Sequence, residues 1–158
     1  MCYDKTIRMR KRFIANSARD LDVIIKQWRV GQEDFSADRK TAWVIALTGN
    51  IGAGKTSFTQ RFLKQLGAKR KVISPSFVLM RDYQLKNGLQ AYHLDAWRIS
   101  AKEFKGLKIK DLFKNPKNII LVEWAEKVKA ILPQDALWIE FEHLGGNKRR
   151  VKFSNPKH

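Results

Sequence analysis

The chain has 158 residues, of which 32 are Lys or Arg and 15 are Asp or Glu, giving a formal net charge of +17. This length suits one folded domain, and a hydrophobic content of 44% excludes a disordered chain. The single cysteine excludes an intramolecular disulfide and a cysteine-rich zinc site, and it favours a reducing, cytoplasmic location.

The N-terminal segment is basic, and we expect residues 1–15 to form an arm that precedes a single domain over residues 16–158. The apolar stretch of a signal peptide does not follow the basic residues of this segment. Because no apolar run approaches the roughly 20 residues that cross a bilayer, we expect no membrane association.

The first predicted element is an amphipathic helix, whose apolar residues recur at i, i+3, i+4 and i+7: Leu21, Ile24, Ile25 and Trp28. Residues 42–48 then form a continuous apolar run, which predicts a strand buried on both faces of a sheet. A glycine-rich turn follows this strand. Residues 57–66 carry apolar side chains on one helical face and predict a second helix.

The next predicted element is a hairpin, because Asn87 and Gly88 separate two strand-like segments, residues 78–85 and 89–97. Residues 100–114 have the pattern of one or two short, lysine-rich helices. These elements lie between the glycine-rich turn and the second strongly apolar run of the chain.

The C-terminal part begins with that second run, residues 118–124, which predicts another fully buried strand. We expect a helix over residues 125–132, ended by Pro133, and a final hairpin formed by residues 136–143 and 148–153. Strands therefore alternate with helices around two buried apolar runs. This order predicts an α/β fold with a mixed sheet.

The strongest motif is a complete G-x-x-x-x-G-K-[ST] sequence, which reads Gly49, Asn50, Ile51, Gly52, Ala53, Gly54, Lys55 and Thr56. Its glycines let successive backbone N–H groups face phosphates, and the helix that follows adds partial positive charge. We expect Lys55 to reach the β- and γ-phosphates and the Thr56 hydroxyl to bind Mg²⁺. A buried strand before the motif and a helix after it indicate a nucleotide-binding site, which includes Ser57.

Two carboxylates end predicted strands, where a P-loop enzyme holds Mg²⁺ or positions water. Glu123 follows four aliphatic residues, where a charge requires a partner such as a cation. Asp95 ends the earlier strand, although a turn or cap residue would look the same. Ser74, Pro75 and Ser76 could sense the γ-phosphate as a switch loop does, or could be ordinary loop residues. His93 is interpreted as a strand histidine rather than a metal ligand.

Four motifs, taken in order, resemble the TsaE (YjeE) family: residues 49–56, Ser74-Pro75-Ser76-Phe77, residues 92–98 and Leu121-Val122-Glu123-Trp124. The members of this family are small bacterial P-loop ATPases of tRNA threonylcarbamoyladenosine synthesis. The resemblance extends over roughly residues 15–145. It implies a P-loop NTPase-like mixed sheet flanked by helices, with an antiparallel hairpin inserted after the P-loop helix.

The resemblance also implies an activity, cofactors and partners. The chain would bind and hydrolyse ATP with Mg²⁺, in a complex with two sugar-kinase-like proteins, the transferase and its non-catalytic paralogue. Asp95 and Glu123 would be catalytic, Thr56 and Glu123 would hold the metal, and residues 74–76 would form the switch-like loop. The family usually has an acidic residue where this chain has Asn50.

The excess positive charge is concentrated in four basic clusters: residues 8–12, 69–71, 102–117 and 148–152. Clusters of this kind suit the phosphate backbone of tRNA, and a solvated surface without a partner is the alternative.

Two other functions remain open for the chain as a whole. One is a P-loop kinase of a small metabolite or nucleoside, and the other is an RNA-binding module that uses nucleotide only structurally.

Overall fold

The structure is a computed structural model that describes residues 11–29 and 39–154. Seven strands form its sheet: β1 (Lys11–Ala15), β2 (Trp43–Thr48), β3 (Met80–Gln84), β4 (Gln90–Asp95), β5 (Asn118–Glu123), β6 (Leu137–Gly145) and β7 (Lys148–Ser154). The spatial order is β1-β7-β6-β2-β5-β4-β3. β2 pairs in parallel with β5 and β6, and β4 pairs in parallel with β5, whereas the other pairs are antiparallel.

Four α-helices lie within the described residues: α1 (Asp20–Arg29), α2 (Lys55–Gln65), α3 (Ala101–Gly106) and α4 (Ile109–Phe113). Two short 3₁₀ helices cover Lys86–Gly88 and Ala125–Val128. The predicted hairpin between residues 78–85 and 89–97 is present as β3 and β4, whose loop contains Asn87 with a positive φ of 60°. The mixed sheet and inserted hairpin confirm the predicted α/β class.

The central strand β2 separates two hydrophobic cores, as its uninterrupted apolar sequence predicts. Ile45 and Leu47 face the core beneath α1 and α2, whereas Val44 and Ala46 face the core beneath α3 and α4. Successive side chains of a strand point to opposite faces, so a strand covered on both faces is apolar at every position. The end of β2 is therefore held rigidly at the middle of the sheet.

Aromatic rings dominate the core beneath α1. The indole of Trp28 stacks on Trp43 with a centroid distance of 5.4 Å and on Phe153 with a distance of 5.0 Å. Phe62 of α2 lies 5.9 Å from the same indole. This cluster joins α1, the centre of the sheet, its C-terminal strand and the helix that follows the glycine-rich turn.

The structure differs from the sequence expectations at three segments. Residues 11–15, assigned to the basic arm, form β1 and pair antiparallel with β7, while residues 1–10 lie outside the described residues. Val78 lies in a turn, and the hairpin begins only at Met80. The helix expected over residues 125–132 is reduced to the 3₁₀ helix Ala125–Val128, and turns and a bend connect it to Pro133.

Among residues 11–29 and 39–154, no helix has both the length and the apolar character that crossing a membrane requires.

We expect Trp28→Ala to destabilise the protein by about 3–5 kcal/mol, because Trp28 is 2% exposed and its removal leaves a cavity among three rings. The midpoint of urea unfolding should fall without a change in the m value. Val23 is 54% exposed on the same helix, so Val23→Ala is the matched control and should change stability by less than about 0.5 kcal/mol. Equal losses in the two variants would contradict the assigned core.

Candidate nucleotide site

The glycine-rich turn connects the end of β2 to the start of α2, as the motif predicts. Gly49 has a φ of 131°, and a Cβ atom placed on it would lie 2.2 Å from the carbonyl oxygen of Phe141. Gly54 has a φ of 108° and directly precedes α2. Both positions therefore require glycine, the first because β6 packs against the loop and the second because of its backbone conformation. The turn leads without a break into the N-terminus of a helix, which is the arrangement that binds phosphates.

Lys55 extends back over the loop from the first position of α2. Its ammonium donates hydrogen bonds to the carbonyl oxygens of Gly49 and Asn50 and lies 3.7 Å from the centre of the Trp124 ring. Burial lowers the pKa of Lys55. Nearby carboxylates act in the opposite direction and are contributed by Glu123, Glu126 and Asp95. The lysine therefore lies between the loop and the acidic ends of neighbouring strands.

Thr56 and Glu123 meet across 67 residues of sequence. The Thr56 hydroxyl donates a hydrogen bond of 2.8 Å to Oε2 of Glu123, whose side chain belongs to the last residue of β5. The other carboxylate oxygen, Oε1, lies 2.7 Å from Nε2 of His93 on β4. Glu123 is 3% exposed, so each oxygen of a buried carboxylate has a partner.

Asp95 lies beside Glu123, because the parallel register pairs the last residue of β4 with the last residue of β5. Its Oδ2 accepts a hydrogen bond of 3.0 Å from the hydroxyl of Ser76, and its Oδ1 accepts one of 2.9 Å from the backbone N–H of Trp97. The Ser76 hydroxyl is in turn 2.6 Å from that of Ser74. Asp95 therefore connects the sheet edge to the predicted switch-like loop.

These groups surround a cavity of about 340 Å³ above the carboxyl ends of the parallel strands. Its walls are formed by Ile51, Gly52, Gly54, Lys55, Thr56, Ser57, Ser76, Asp95, Trp97, Arg98, Glu123, Trp124 and Arg149. A larger surface groove, of about 550 Å³, lies between α1 and α2 and contains none of the predicted site residues. The smaller cavity is the functional candidate, because the phosphate-binding loop and both carboxylates converge there.

Most predicted site residues are brought together by the fold, and a few lie outside the cavity wall. Gly49, Asn50 and Ala53 belong to the loop without lining the cavity, and Ala53 is fully buried. Pro75 and Ser74 lie beyond Ser76, so their link to the cavity passes through that residue.

Sequence reasoning missed two contributors to the site. His93 was interpreted as an ordinary strand histidine, yet it is buried against Glu123, and its Nδ1 has no hydrogen-bond partner among the described residues. His93 and Asp95 are two residues apart in β4, so their side chains lie on the same face of the strand, and the sequence alone could have indicated this. Arg149 comes from β7, and nothing in its local sequence distinguishes it from the neighbouring cations.

The donor atoms at the carboxylate edge suit a magnesium ion. Mg²⁺ prefers oxygen ligands and is usually held by one or two carboxylates together with substrate phosphates. The Thr56 hydroxyl and the Glu123 carboxylate provide two adjacent oxygen donors next to the phosphate-binding loop. In residues 11–29 and 39–154, no three His, Cys, Asp or Glu side chains gather into a separate metal cluster.

Comparison with known proteins identifies one family. Residues 18–151 match the family model described as threonylcarbamoyl adenosine biosynthesis protein TsaE. The chain is 35% identical over 119 residues to the tRNA threonylcarbamoyladenosine biosynthesis protein TsaE of Bacillus subtilis, an alignment that covers 75% of this chain and 73% of that protein. It is 34% identical over 103 residues to the TsaE protein of Haemophilus influenzae, covering 65% of this chain and 64% of that protein.

The fold is also similar to a solved structure. The crystal structure of YdiB from Bacillus subtilis aligns with a TM-score of 0.70 and 26% sequence identity, covering 97% of this chain and 90% of that one. The mixed sheet, the loop after β2 and the inserted hairpin therefore belong to a P-loop NTPase fold.

Proposed function

The chain belongs to the TsaE family of tRNA threonylcarbamoyladenosine biosynthesis proteins, and on that basis we propose that it is the ATP-binding and ATP-hydrolysing subunit of the complex that forms this modification next to the anticodon. The observation that carries the proposal is the hydrogen bond between Thr56 and Glu123. It joins the phosphate-binding loop to a buried carboxylate, which is the combination that enzymes use to transfer a phosphoryl group of a nucleotide, to water or to another acceptor.

In this proposal, residues 49–57 bind the triphosphate. Backbone N–H groups of the loop and the N-terminus of α2 hold the α- and β-phosphates, and Lys55 contacts the β- and γ-phosphates. The lowered pKa of Lys55 has burial as its largest cause, and the cation becomes more favourable when a phosphate anion lies beside it. Binding of the nucleotide therefore transfers the ammonium from backbone carbonyls to phosphate oxygens.

Magnesium would be held by Thr56 and Glu123, where it would neutralise negative charge that develops on the β- and γ-phosphates. His93 maintains the orientation of Glu123 through its 2.7 Å contact. Asp95 lies beside Glu123 in the register and would position water at the same edge. The catalytic roles therefore belong to two neighbouring strand ends, Asp95 and Glu123.

The switch-like loop would report the state of the nucleotide. Ser76 donates to Asp95, so a change in the environment of that carboxylate alters the hydrogen bond that holds the loop. Phe77, the next residue, is 88% exposed, and Ile51 and Trp97 expose apolar surface close to the same cavity. Large apolar side chains that are exposed as a contiguous patch typically mark a protein interface.

We place the two sugar-kinase-like partners, the transferase and its non-catalytic paralogue, at this apolar edge. An interface beside the cavity would couple assembly of the complex to the nucleotide state. The same arrangement would make hydrolysis by the free chain slow, because the partners would complete the ordering of the loop.

We expect Glu123→Gln and Asp95→Asn to reduce ATP hydrolysis by at least about 100-fold while the affinity for ADP changes little, because each removes a charge that acts on water or metal. Phosphate release should be measured with the partners present and without any phosphate acceptor, since a kinase would show little turnover in that assay. Glu142→Gln, on the exposed hairpin, is the control. Normal turnover by both active-site variants would show that these carboxylates are not catalytic.

A reconstitution experiment tests the role in the complex. Purified chain should associate with the two sugar-kinase-like proteins and should be required for repeated cycles of tRNA modification. Lys55→Ala should abolish ATP binding and the repeated cycles of tRNA modification, because it removes the cation that faces the phosphates. Undiminished modification without the chain, or with Lys55→Ala, would contradict the proposed role.

Direct contact with tRNA is a further part of the proposal, and the lysines of α3 and α4 are its best candidates. Their exposed side chains include Lys102, Lys105 and Lys110. By contrast, Arg150 and Lys152 of the C-terminal cluster are paired with Glu142 and Glu140. The negative slope of log affinity against log salt for tRNA should be reduced by Lys→Glu changes at the three helix lysines, and Arg150→Glu should have a smaller effect. A chain that binds no tRNA at about 50 mM salt, alone or with its partners, would exclude this surface.

A further inference from the structure

The basic side chains on the two faces of β7 have different surroundings. Arg150 donates a 2.7 Å hydrogen bond to Glu142, and Lys152 donates one of 3.1 Å to Glu140 on the neighbouring strand β6. Val151 and Phe153 point to the opposite face and lie in the core beneath α1 and α2. Arg149 shares that face because strand side chains alternate. It therefore continues an apolar row toward the site rather than joining the surface ion pairs.

Arg149 lies directly over the last glycine of the phosphate-binding loop. A Cβ atom placed on Gly54 would be 3.1 Å from Cδ and 3.2 Å from Nε of Arg149. The side chain forms part of the wall of the cavity that also contains Lys55 and Thr56. The guanidinium is thus held beside the N-terminus of α2 by packing of the whole hairpin, not by a flexible loop.

The guanidinium has few partners of its own. Nε of Arg149 is buried without a hydrogen-bond partner in the part of the chain that the structure describes, and Nη1 makes only a 3.4 Å contact with the carbonyl of Asn147. None of the ion pairs found among the described residues includes Arg149. A cation held next to the positive end of a helix is unfavourable unless an anion binds between them.

We propose that Arg149 is a nucleotide-binding residue whose guanidinium contacts the α- and β-phosphates, an inference that rests on the proposed nucleotide site. In the sheet, β5 and β4 lie on one side of β2, and β6 and β7 lie on the other. Glu123 and Asp95 lie on the side of β5 and β4, where the γ-phosphate and the attacking water would bind. Arg149 reaches the loop from the second side, so it approaches the part of the triphosphate that remains after hydrolysis.

This position predicts which step Arg149 affects. A contact to the α- and β-phosphates is present with ATP and with ADP, so its loss weakens both complexes by the same factor. A contact to the γ-phosphate would weaken the ATP complex alone. Arginine suits the first role because its planar, permanently charged fork donates two parallel hydrogen bonds to phosphate oxygens.

The test compares four proteins by calorimetric titration with ADP and with a non-hydrolysable ATP analogue: wild type, Arg149→Met, Arg149→Lys and Arg150→Gln. Met keeps an unbranched, largely apolar side chain over Gly54 and removes the charge. We expect Arg149→Met to weaken both ligands by about 10- to 100-fold, the loss typical of a charged hydrogen bond, and Arg149→Lys to recover part of it. Arg150→Gln carries the same charge change on the opposite face of β7 and should bind like wild type.

The controls separate this inference from the proposed function. Thermal unfolding without ligand should be similar in all four proteins, and Arg149→Lys provides a folded variant if Arg149→Met is unstable. Wild-type affinity in Arg149→Met and Arg149→Lys, or a loss confined to the ATP analogue, would overturn the phosphate contact while leaving the nucleotide site in place. Failure of both wild type and Arg150→Gln to bind either nucleotide would overturn the proposed function, and the role of Arg149 with it.

Discussion

The carboxylate of Glu123 lies almost out of contact with water, and a buried negative charge is tolerated only where donors surround it. The fold supplies positive groups and donors from two separate parts of the chain. Thr56 comes from the phosphate-binding loop, His93 comes from the neighbouring strand, and the cation of Lys55 lies close by. Satisfying this one charge therefore fixes the relative positions of the loop and the ends of two strands.

The neighbour of Glu123 in the sheet connects this buried edge to the surface. Asp95 is adjacent to Glu123 in the parallel register and accepts hydrogen bonds from Ser76 and from the backbone of Trp97. The residues on either side of these contacts expose apolar side chains. The hydrogen bonds of Asp95 thus connect the buried edge of the sheet to a part of the surface with exposed apolar side chains.

Local signals predicted the centre of this molecule well. The apolar run of β2 required a strand covered on both faces. The acid after the aliphatic residues of β5 required a partner such as a cation, and its hydrogen-bond partners are the Thr56 hydroxyl and the His93 ring. Local signals failed where contacts with distant parts of the chain determine the secondary structure. Residues 11–15 carry the charges of an arm yet form an edge strand, where polar side chains protect against unwanted pairing.

The position of Arg149 illustrates the same limit at the site. Its sequence neighbours are also cations, and only the pairing of β7 with β6 determines which of them faces the loop. His93 could be placed on the face of Asp95 by alternation, but its contact with Glu123 depends on the register between β4 and β5. Registers between distant strands follow from packing of both cores, which no local pattern encodes.

The order of strands in the sheet has a consequence for synthesis on the ribosome. β2 lies between β5 and β6, so this apolar strand emerges long before either of its neighbours. β1 pairs with β7, the last strand of the described chain. Long-range pairing of this kind is slow, and incompletely paired apolar strands are prone to aggregation. The sheet therefore cannot be assembled from the N-terminus onward, because β1 and β2 pair with strands that are synthesised later.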